Sequence, residues 1–311
     1  MRRSTWYVTT QSLLSFCLIL VAQLSSHAES QCPGNAASIT PRFVQHTLII
    51  IPVKMNGQGP FDFIVDTGSQ LTVIDPALAT QLKLNLGATI GVAIVGSRVH
   101  AQMGELETME ADSQIVEKPL VVIQDLGQLQ AVDPHIRGMI GENFLAHFDV
   151  FIDYRHRMLC LDETKHMLQS MKGERIPLVA PRDPEDDLSF APRLVISVQL
   201  SNAKGRRLLL RLDSGTNAPT LFAGNQETPG WMRKRLSHQG RSAGRAEQTF
   251  DLLPPADLRI GNRTLRQVSF VTPVSTGSGG TKYVQDGLLP TVLFQRLFIS
   301  FADHLVVFDP E

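Results

Sequence analysis

The sequence predicts an all-β protein made of two tandem lobes, and three observations support this prediction. Extended apolar runs rich in Val, Ile and Thr recur between short turn signals, which is typical of strands. One such run ends in Asp66, and a second ends in Asp213. The blocks after each aspartate repeat in the same order, which indicates a duplication of one β-rich lobe.

The first aspartate lies at the end of a hairpin of two predicted strands. Residues 43–53 form an extended apolar run that predicts a single strand. Residues 56–60 supply a turn and the next strand carries Asp66, so the motif lies at the end of a hairpin. Asp75 then precedes Pro76, a pair that predicts the cap and the first residue of a short helix.

Further strands and one helical patch complete the first half. Residues 91–102 surround Gly96 and predict a hairpin with that glycine at its tip. The other predicted elements are strands at 105–111, 119–124, 150–154 and 158–161, and an apolar helical patch after Gly141.

The second half repeats this order. Its predicted strands cover residues 194–200, 208–212, 257–270 and 299–309. Gly138 and Gly287, the matched glycines downstream, lie 149 positions apart, and the two aspartates lie 147 apart, which favours duplication. Two segments interrupt the repeat. The sequence predicts no secondary structure for residues 225–245, and it predicts a mobile loop at residues 272–286.

The composition indicates a globular chain without a polyanionic partner. The 311 residues have 43% hydrophobic content and a formal net charge of -1, which suits two domains of about 150 residues. No basic stripe is present, so nucleic acid is not expected as a partner. The histidines are scattered without the spacing of a zinc site, so no metal is expected.

The amino end predicts a secretory signal peptide that is removed after Ala28. Arg2 and Arg3 precede an apolar core at residues 13–24, and a small-x-small cleavage site begins at Ser26. An uncleaved membrane anchor is the alternative, but roughly a dozen apolar residues fall short of the ~20 that a spanning helix needs. We therefore expect a secreted or periplasmic protein with no stable membrane anchor.

The predicted boundaries follow from the signal, the two repeats and a composition shift between them. They are a signal peptide at 1–28, a short amino-terminal segment at 29–42, a first lobe at 43–162, a linker at 163–192 and a second lobe at 193–311. Two cysteines remain after the signal is removed. In an exported chain Cys32 and Cys160 form either one disulfide or two separate thiols.

Each aspartate begins a short motif of hydroxyl residues around a glycine. The two motifs are Asp66, Thr67, Gly68, Ser69 and Asp213, Ser214, Gly215, Thr216. One copy alone would be a weak signal, because aspartate and glycine fill turns throughout proteins. The doubled motif is similar to the paired active-site loops of aspartic peptidases of the pepsin and retropepsin type. This resemblance implies the bilobal acid-protease fold, with two retropepsin-like β-barrel lobes and the active site between them.

The same resemblance implies that Asp66 and Asp213 are a catalytic dyad. Two carboxyl groups that share a proton can take one proton from water and give one to a peptide carbonyl. Like charges a few ångströms apart do not both ionise readily, and the aspartic-protease dyad is the standard case of this effect. The alternative is that both are turn residues in a duplicated β-protein without catalysis.

The resemblance also implies supporting roles for the residues beside the two aspartates. The glycine of each motif allows a close backbone approach and holds the carboxylate through its amide. Thr67 and Ser214 match inner hydroxyls that bond across the lobe interface. Ser69 and Thr216 match outer hydroxyls that bond each aspartate from the side.

Two residues near the second aspartate depart from the family pattern. Arg211 lies two residues before Asp213, so period-two geometry puts them on the same strand face. Its guanidinium either faces the dyad and lowers its pKa values or turns outward to an acidic partner, and we prefer the outward orientation. Pro290 replaces the glycine that stands at Gly141, which predicts a deformed support for the second loop.

The predicted hairpin at residues 91–102 supplies a flap candidate. The family closes such a hairpin over its substrate, and the tip here consists of Val95, Gly96 and Ser97. The aromatic residue of pepsin flaps is not evident, and the glycine tip is closer to retropepsin flaps. Whether residues 242–244 form a second flap stays open.

The resemblance implies an exported aspartic endopeptidase. An extended peptide or an unfolded protein would bind between the lobes by strand pairing, and no cofactor is required. A monomer with a pseudo-twofold active site is expected. The alternatives are a catalytically weak or inactive extracytoplasmic peptide-binding module of the same fold, or a self-processing peptidase.

Overall fold

Three β-sheets organise the part of the chain that the structure, a computed structural model, describes. The described residues are 31–95, 97–163, 166–179, 194–203, 205–222, 236–242, 245–274 and 285–310. Residues Cys32–Glu311 form one compact unit. The predicted signal peptide, residues 1–28, lies outside the described residues.

The first half contains short helices among many strands. Its strands are β1 (Ala37–Ile39), β2 (Arg42–Val44), β3 (Leu48–Met55), β4 (Gln58–Val65), β5 (Thr72–Ile74), β6 (Leu86–Ile94), β7 (Ser97–Glu105), β8 (Thr108–Ala111), β9 (Gln114–Glu117), β10 (Leu120–Ile123), β11 (Ile136–Ile140), β12 (Asp149–Asp153), β13 (Met158–Asp162) and β14 (Arg175–Pro177). Its α-helices are α1 (Pro76–Gln81), α2 (Gly127–Gln130), α3 (Glu142–Leu145) and α4 (His166–Ser170), and a 3₁₀ helix covers Pro33–Asn35.

The second half is built from strands and one described 3₁₀ helix, Thr291–Leu293. Its strands are β15 (Val195–Leu200), β16 (Arg207–Asp213), β17 (Thr220–Leu221), β18 (Leu236–Ser242), β19 (Arg245–Leu252), β20 (Ala256–Ile260), β21 (Arg263–Val268), β22 (Val271–Pro273), β23 (Gly287–Pro290), β24 (Arg296–Ser300) and β25 (Leu305–Phe308). Mostly buried strands such as β16 occur where a sheet is covered on both faces.

The sheets of the two halves have the same strand order. The first runs β6-β7-β10-β5-β11-β4-β3-β8-β9, with β2 paired to β3, and the second runs β18-β19-β22-β17-β23-β16-β15-β20-β21. Each has one hairpin at either edge, and inside it lies the strand that leads to the motif aspartate, β4 before Asp66 or β16 up to Asp213. The duplication predicted from the sequence is therefore present in the topology.

A third sheet joins the two halves. Its order is β1-β13-β12-β24-β25-β14, and β12 pairs with β24 so that Phe151 lies opposite Phe298. Strand β1 places Ser38 opposite Cys160, and Cys160 forms a disulfide with Cys32 across a Cα–Cα distance of 5.8 Å. The disulfide, one of the two alternatives open in the sequence, thus ties the amino end of this unit to the shared sheet.

The prediction of a single strand at residues 43–53 is wrong. The chain turns there, because Gln45 and His46 have φ of 51° and 61°, and β2 pairs back onto β3. No glycine, proline or asparagine marks this turn, so it carries none of the residue types that predict turns. The helix prediction is confirmed, since Asp75 accepts a 2.8 Å bond from Leu78 N at the start of α1.

The structure describes part of the two segments in which the sequence repeat is interrupted. Residues 225–245 have no predicted structure, and part of them forms β18, which pairs with β19 as a hairpin that matches β6 and β7. Residues 243–244, within the open second-flap candidate, lie outside the described residues. Most of the predicted loop at 272–286 does too, and the predicted linker contains α4 and β14. The described helices are all too short or too polar to cross a membrane.

Candidate active site

The first aspartate follows a buried strand end. Asp66 comes directly after β4, and its N–H donates to Ile140 O on the neighbouring β11 at 2.9 Å. Its Oδ1 accepts a 2.9 Å bond from Gly68 N. The half-buried carboxyl group is therefore oriented by its own loop.

The second aspartate repeats this arrangement. Asp213 is the last residue of β16, is 7% exposed, and accepts a 2.8 Å bond from Gly215 N at Oδ1. Pro290 lies opposite it in the parallel pairing with β23. The register runs through Pro290 without a shift, so the predicted deformation of this support is not seen in the strand pairing.

The fold brings the two aspartates together, and each motif glycine faces the opposite carboxyl group. A Cβ atom on Gly68 would lie 2.3 Å from Asp213 Cγ, and one on Gly215 would lie 2.6 Å from Asp66 Oδ1. The two carboxyl groups are close enough for the charge of Asp66 to raise the pKa of Asp213. Only a residue without a side chain fits at either position.

Four hydrogen bonds, the inter-lobe network, lock the two aspartate loops together. Thr67 N donates to Ser214 Oγ and Ser214 N donates to Thr67 Oγ1, both at 3.0 Å. Thr67 Oγ1 donates to Leu212 O at 3.0 Å, and Ser214 Oγ donates to Val65 O at 2.6 Å. The hydroxyls of Thr67 and Ser214 thus lie where the resemblance implies.

The outer hydroxyls have other partners than those implied. Ser69 Oγ donates its proton to Leu71 O at 2.7 Å, so that proton is not available to Asp66. Thr216 Oγ1 accepts a 3.4 Å bond from Ala218 N. Both hydroxyls brace the loop that carries them, because a short hydroxyl bonds most readily to nearby backbone.

The flap candidate lies at the tip of a described hairpin. Strands β6 and β7 pair with Ile94 opposite Ser97, and Val95 is in the turn between them. Gly96, predicted at the tip, lies outside the described residues. The hairpin itself is confirmed and is longer than the predicted residues 91–102.

Burial raises the pKa of both carboxyl groups. Loss of water and the charge of Asp66 raise the pKa of Asp213 to about 8, against the lowering effects of Arg211 and the Gly215 N–H. Burial also raises the pKa of Asp66, while the Gly68 N–H and the charge of Arg211 lower it. Because the charge of one carboxyl group disfavours ionisation of the other, the two titrations belong to the pair, and the pair holds a single proton over a range of pH.

The preferred outward orientation of Arg211 is wrong, although its acidic partner exists. Arg211 is 5% exposed, and its Nη2 lies 2.8 Å from Oε1 of Glu142, the first residue of α3 in the other lobe. Period-two geometry gave the correct strand face, but the partner comes from a distant part of the chain. The role of Glu142 was missed; the available signal was a lone charge beside the apolar run that follows Gly141.

Adding a methyl group at Gly68 tests the close approach. Gly68→Ala is expected to lower kcat by about 10²-fold, because the new Cβ displaces the Asp213 carboxyl group and misplacement of a catalytic group by about 1 Å has an effect of that size. Peptide hydrolysis rates measure it. Gly87→Ala is the control, since its Cβ would meet its nearest neighbour at 3.7 Å; equal losses in both variants would contradict the account.

Comparisons with known proteins agree with this geometry. Residues 51–144 match the family model described as aspartyl protease. No curated protein matches the chain. Within the described residues no group of three or more His, Cys, Asp or Glu side chains is placed to hold a metal ion.

The solved structures that are similar to the chain include two aspartic proteases. A retropepsin-like aspartic protease from Rickettsia conorii is 18% identical, with 40% of this chain and 87% of that chain covered and a TM-score of 0.30. Aspartic proteinase from Irpex lacteus is 10% identical, with 88% and 97% covered and a TM-score of 0.50. The second match shows that the chain has the bilobal fold of pepsin-like aspartic proteases. The predicted resemblance is confirmed, and family match and fold together support a peptidase-type function.

Proposed function

We propose that the protein is an exported aspartic endopeptidase in which Asp66 and Asp213 activate one water molecule. The observation that carries the proposal is the reciprocal approach of each motif glycine to the opposite carboxyl group. The inter-lobe network supports it, because four buried hydrogen bonds hold the carboxyl groups in one geometry. A duplicated β-protein with ordinary turns would not need that construction.

In the proposed reaction the two carboxyl groups exchange roles. Ionised Asp66 takes a proton from water as the water oxygen bonds to the peptide carbon, and protonated Asp213 gives its proton to the carbonyl oxygen. The resulting tetrahedral intermediate loses the amine when its C–N bond breaks. The nitrogen receives the proton held by Asp66, and a hydroxyl of the intermediate returns one to Asp213, so the dyad regains its starting state.

The proposed substrate is an extended peptide or an unfolded protein. The hairpin edges β6–β7 and β18–β19 offer backbone groups for strand pairing at the end of each sheet. One chain supplies one aspartate from each lobe, so a monomer suffices. No cofactor takes part in the proposed steps.

Export is proposed from the predicted signal peptide and is supported by the disulfide between Cys32 and Cys160. Disulfides form and persist mainly in oxidising compartments. Fractionation of the native host with sequencing of the mature amino end tests this step. A mature chain that begins at Glu29 outside the cytoplasm is expected, and an intact cytoplasmic chain would contradict it.

Hydrolysis of an unfolded, cysteine-free protein by the purified chain tests the enzymatic proposal. Internal cleavage between pH 3 and 8, detected by mass spectrometry of the fragments and blocked by a statine-type peptide, is the expected result. Peptide binding without cleavage would instead favour the peptide-binding module, an alternative motivated by the charge of Arg211 beside the dyad. Cleavage confined to the protein's own amino segment would identify self-processing.

A further inference from the structure

A buried ion pair joins the two lobes close to the dyad. Arg211 Nη2 and Glu142 Oε1 are 2.8 Å apart, and the side chains are 6% and 0% exposed. Glu142 Oε1 also accepts a 2.9 Å bond from Leu194 N, next to β15. The pair is therefore built into the interior and is shielded from salt screening.

Each member of the pair is attached to one aspartate loop. Arg211 precedes Asp213 by two residues on β16, about 7 Å along the strand at roughly 3.3 Å per residue. Glu142 N donates to Ser69 O at 2.9 Å, and Ser69 lies in the Asp66 motif. The ion pair thus connects the strand of one aspartate to the loop of the other.

The duplication shows that the fold does not require this pair. The position of Arg211 in the first lobe is occupied by buried Ile64, and the position of Glu142 in the second lobe is occupied by buried Thr291. The pseudo-twofold partner of the ion pair is therefore apolar and neutral. Buried ion pairs are often no more stabilising than apolar residues of similar size, so stability alone does not explain the charges.

The charged groups around the dyad are few among the described residues. Arg211 lowers the pKa of both aspartates. Tyr154, whose hydroxyl contacts Thr291 Oγ1 at 2.6 Å, has a pKa raised by burial and by Asp213 and stays neutral. The residues paired with Arg211 in the adjacent strands, Val195 and Leu288, carry no charge. The field from Arg211 is therefore opposed chiefly by its partner Glu142.

We propose that Arg211 and Glu142 are positioning residues that hold the strand of one aspartate against the loop of the other and set the pH range in which the dyad carries one proton. This role rests on the proposed peptidase function. It makes the two halves of the site electrostatically unequal, because among the described residues only the second lobe contributes a cation that acts on the dyad. The unequal field favours ionisation of the dyad at lower pH than burial alone would allow.

Two variants test the proposal through the pH profile of kcat/KM. Glu142→Gln keeps an acceptor for Leu194 N but leaves the charge of Arg211 unopposed. The acidic and the basic limb of the pH profile are therefore both expected to move to lower pH by roughly one unit. The double variant Arg211→Ile with Glu142→Thr copies the neutral pair of the other lobe. Because the double variant lacks the cation, both limbs of its pH profile are expected to lie at higher pH than those of the wild type.

A titration that does not depend on activity separates this proposal from the proposed function. Carboxyl ¹³C NMR of aspartate-labelled protein follows the dyad in the same variants, with the same directions of shift expected. If the wild type cleaves peptides but the pH profiles of the variants match the wild-type profile, the role of the pair is overturned. If the protein is inactive and the carboxyl titrations of the variants match those of the wild type, the role is overturned as well. Shifted carboxyl titrations without any cleavage would retain it and reject the peptidase. If Glu142→Gln does not fold, the double variant decides alone.

Discussion

Replacing Asp213 with asparagine is expected to lower kcat by about 10³-fold or more while the fold is kept. Asparagine has nearly the same shape and still accepts the Gly215 N–H bond at its carbonyl oxygen. It cannot hold the shared proton, so in the proposed reaction the carbonyl oxygen of the substrate loses its proton donor. Asp66→Asn should have an effect of similar size, because it removes the group that takes the proton from water in the proposed reaction. Steady-state hydrolysis of an unfolded protein measures both.

The matched control is an aspartate-to-asparagine change outside the site. Asp112 is exposed in a turn with φ of 56°, a conformation that asparagine tolerates well. Asp112→Asn should leave kcat unchanged. Full activity in either dyad variant, with circular dichroism that matches the wild type, would rule out the two-aspartate mechanism.

Removing the hydroxyl of Thr67 is expected to lower stability by roughly 2–5 kcal/mol. Thr67→Val keeps the side-chain shape but removes the donor to Leu212 O and the acceptor of Ser214 N. Two buried backbone groups then lack partners, at about 1–3 kcal/mol each. Thermal unfolding should show a midpoint lowered by several degrees, and kcat should fall because the aspartate loops are less well aligned.

Thr67→Ser separates the hydroxyl from the methyl group. Serine restores Oγ and both of its hydrogen bonds, so most of the stability and activity should return. The account of the inter-lobe network would be contradicted if Thr67→Ser lost as much stability as Thr67→Val. That outcome would assign the effect to packing of the Thr67 methyl group.

The fold and the close approach of the two aspartates were predictable because the relevant signals are local and occur twice. An apolar strand that ends in Asp66 and its copy at Asp213 fix two equivalent loops, and the repeated glycines fix the strands beneath them. The observed sheet orders match element by element. Duplication therefore supplied the long-range information that one motif lacks.

The remaining features depend on contacts that a single sequence does not encode locally. The turn after β2 uses positive φ at Gln45 and His46, residue types that do not signal it. The direction of Arg211 depends on Glu142, 69 positions earlier in the chain and in the other lobe. The sequence allows the Ser69 hydroxyl to bond either the Asp66 carboxyl group or a nearby carbonyl, and the folded loop directs it to Leu71 O.

A mixing experiment tests most directly the central claim, that one chain completes one site with an aspartate from each lobe. Asp66→Asn and Asp213→Asn proteins are unfolded together, refolded at equal concentration, and compared with wild-type protein in hydrolysis of an unfolded substrate. We expect cleavage by the wild type and none above background from the mixture, because no chain in it holds both carboxyl groups. Recovery of a substantial fraction of wild-type activity would show that the aspartates pair between chains and would contradict the account.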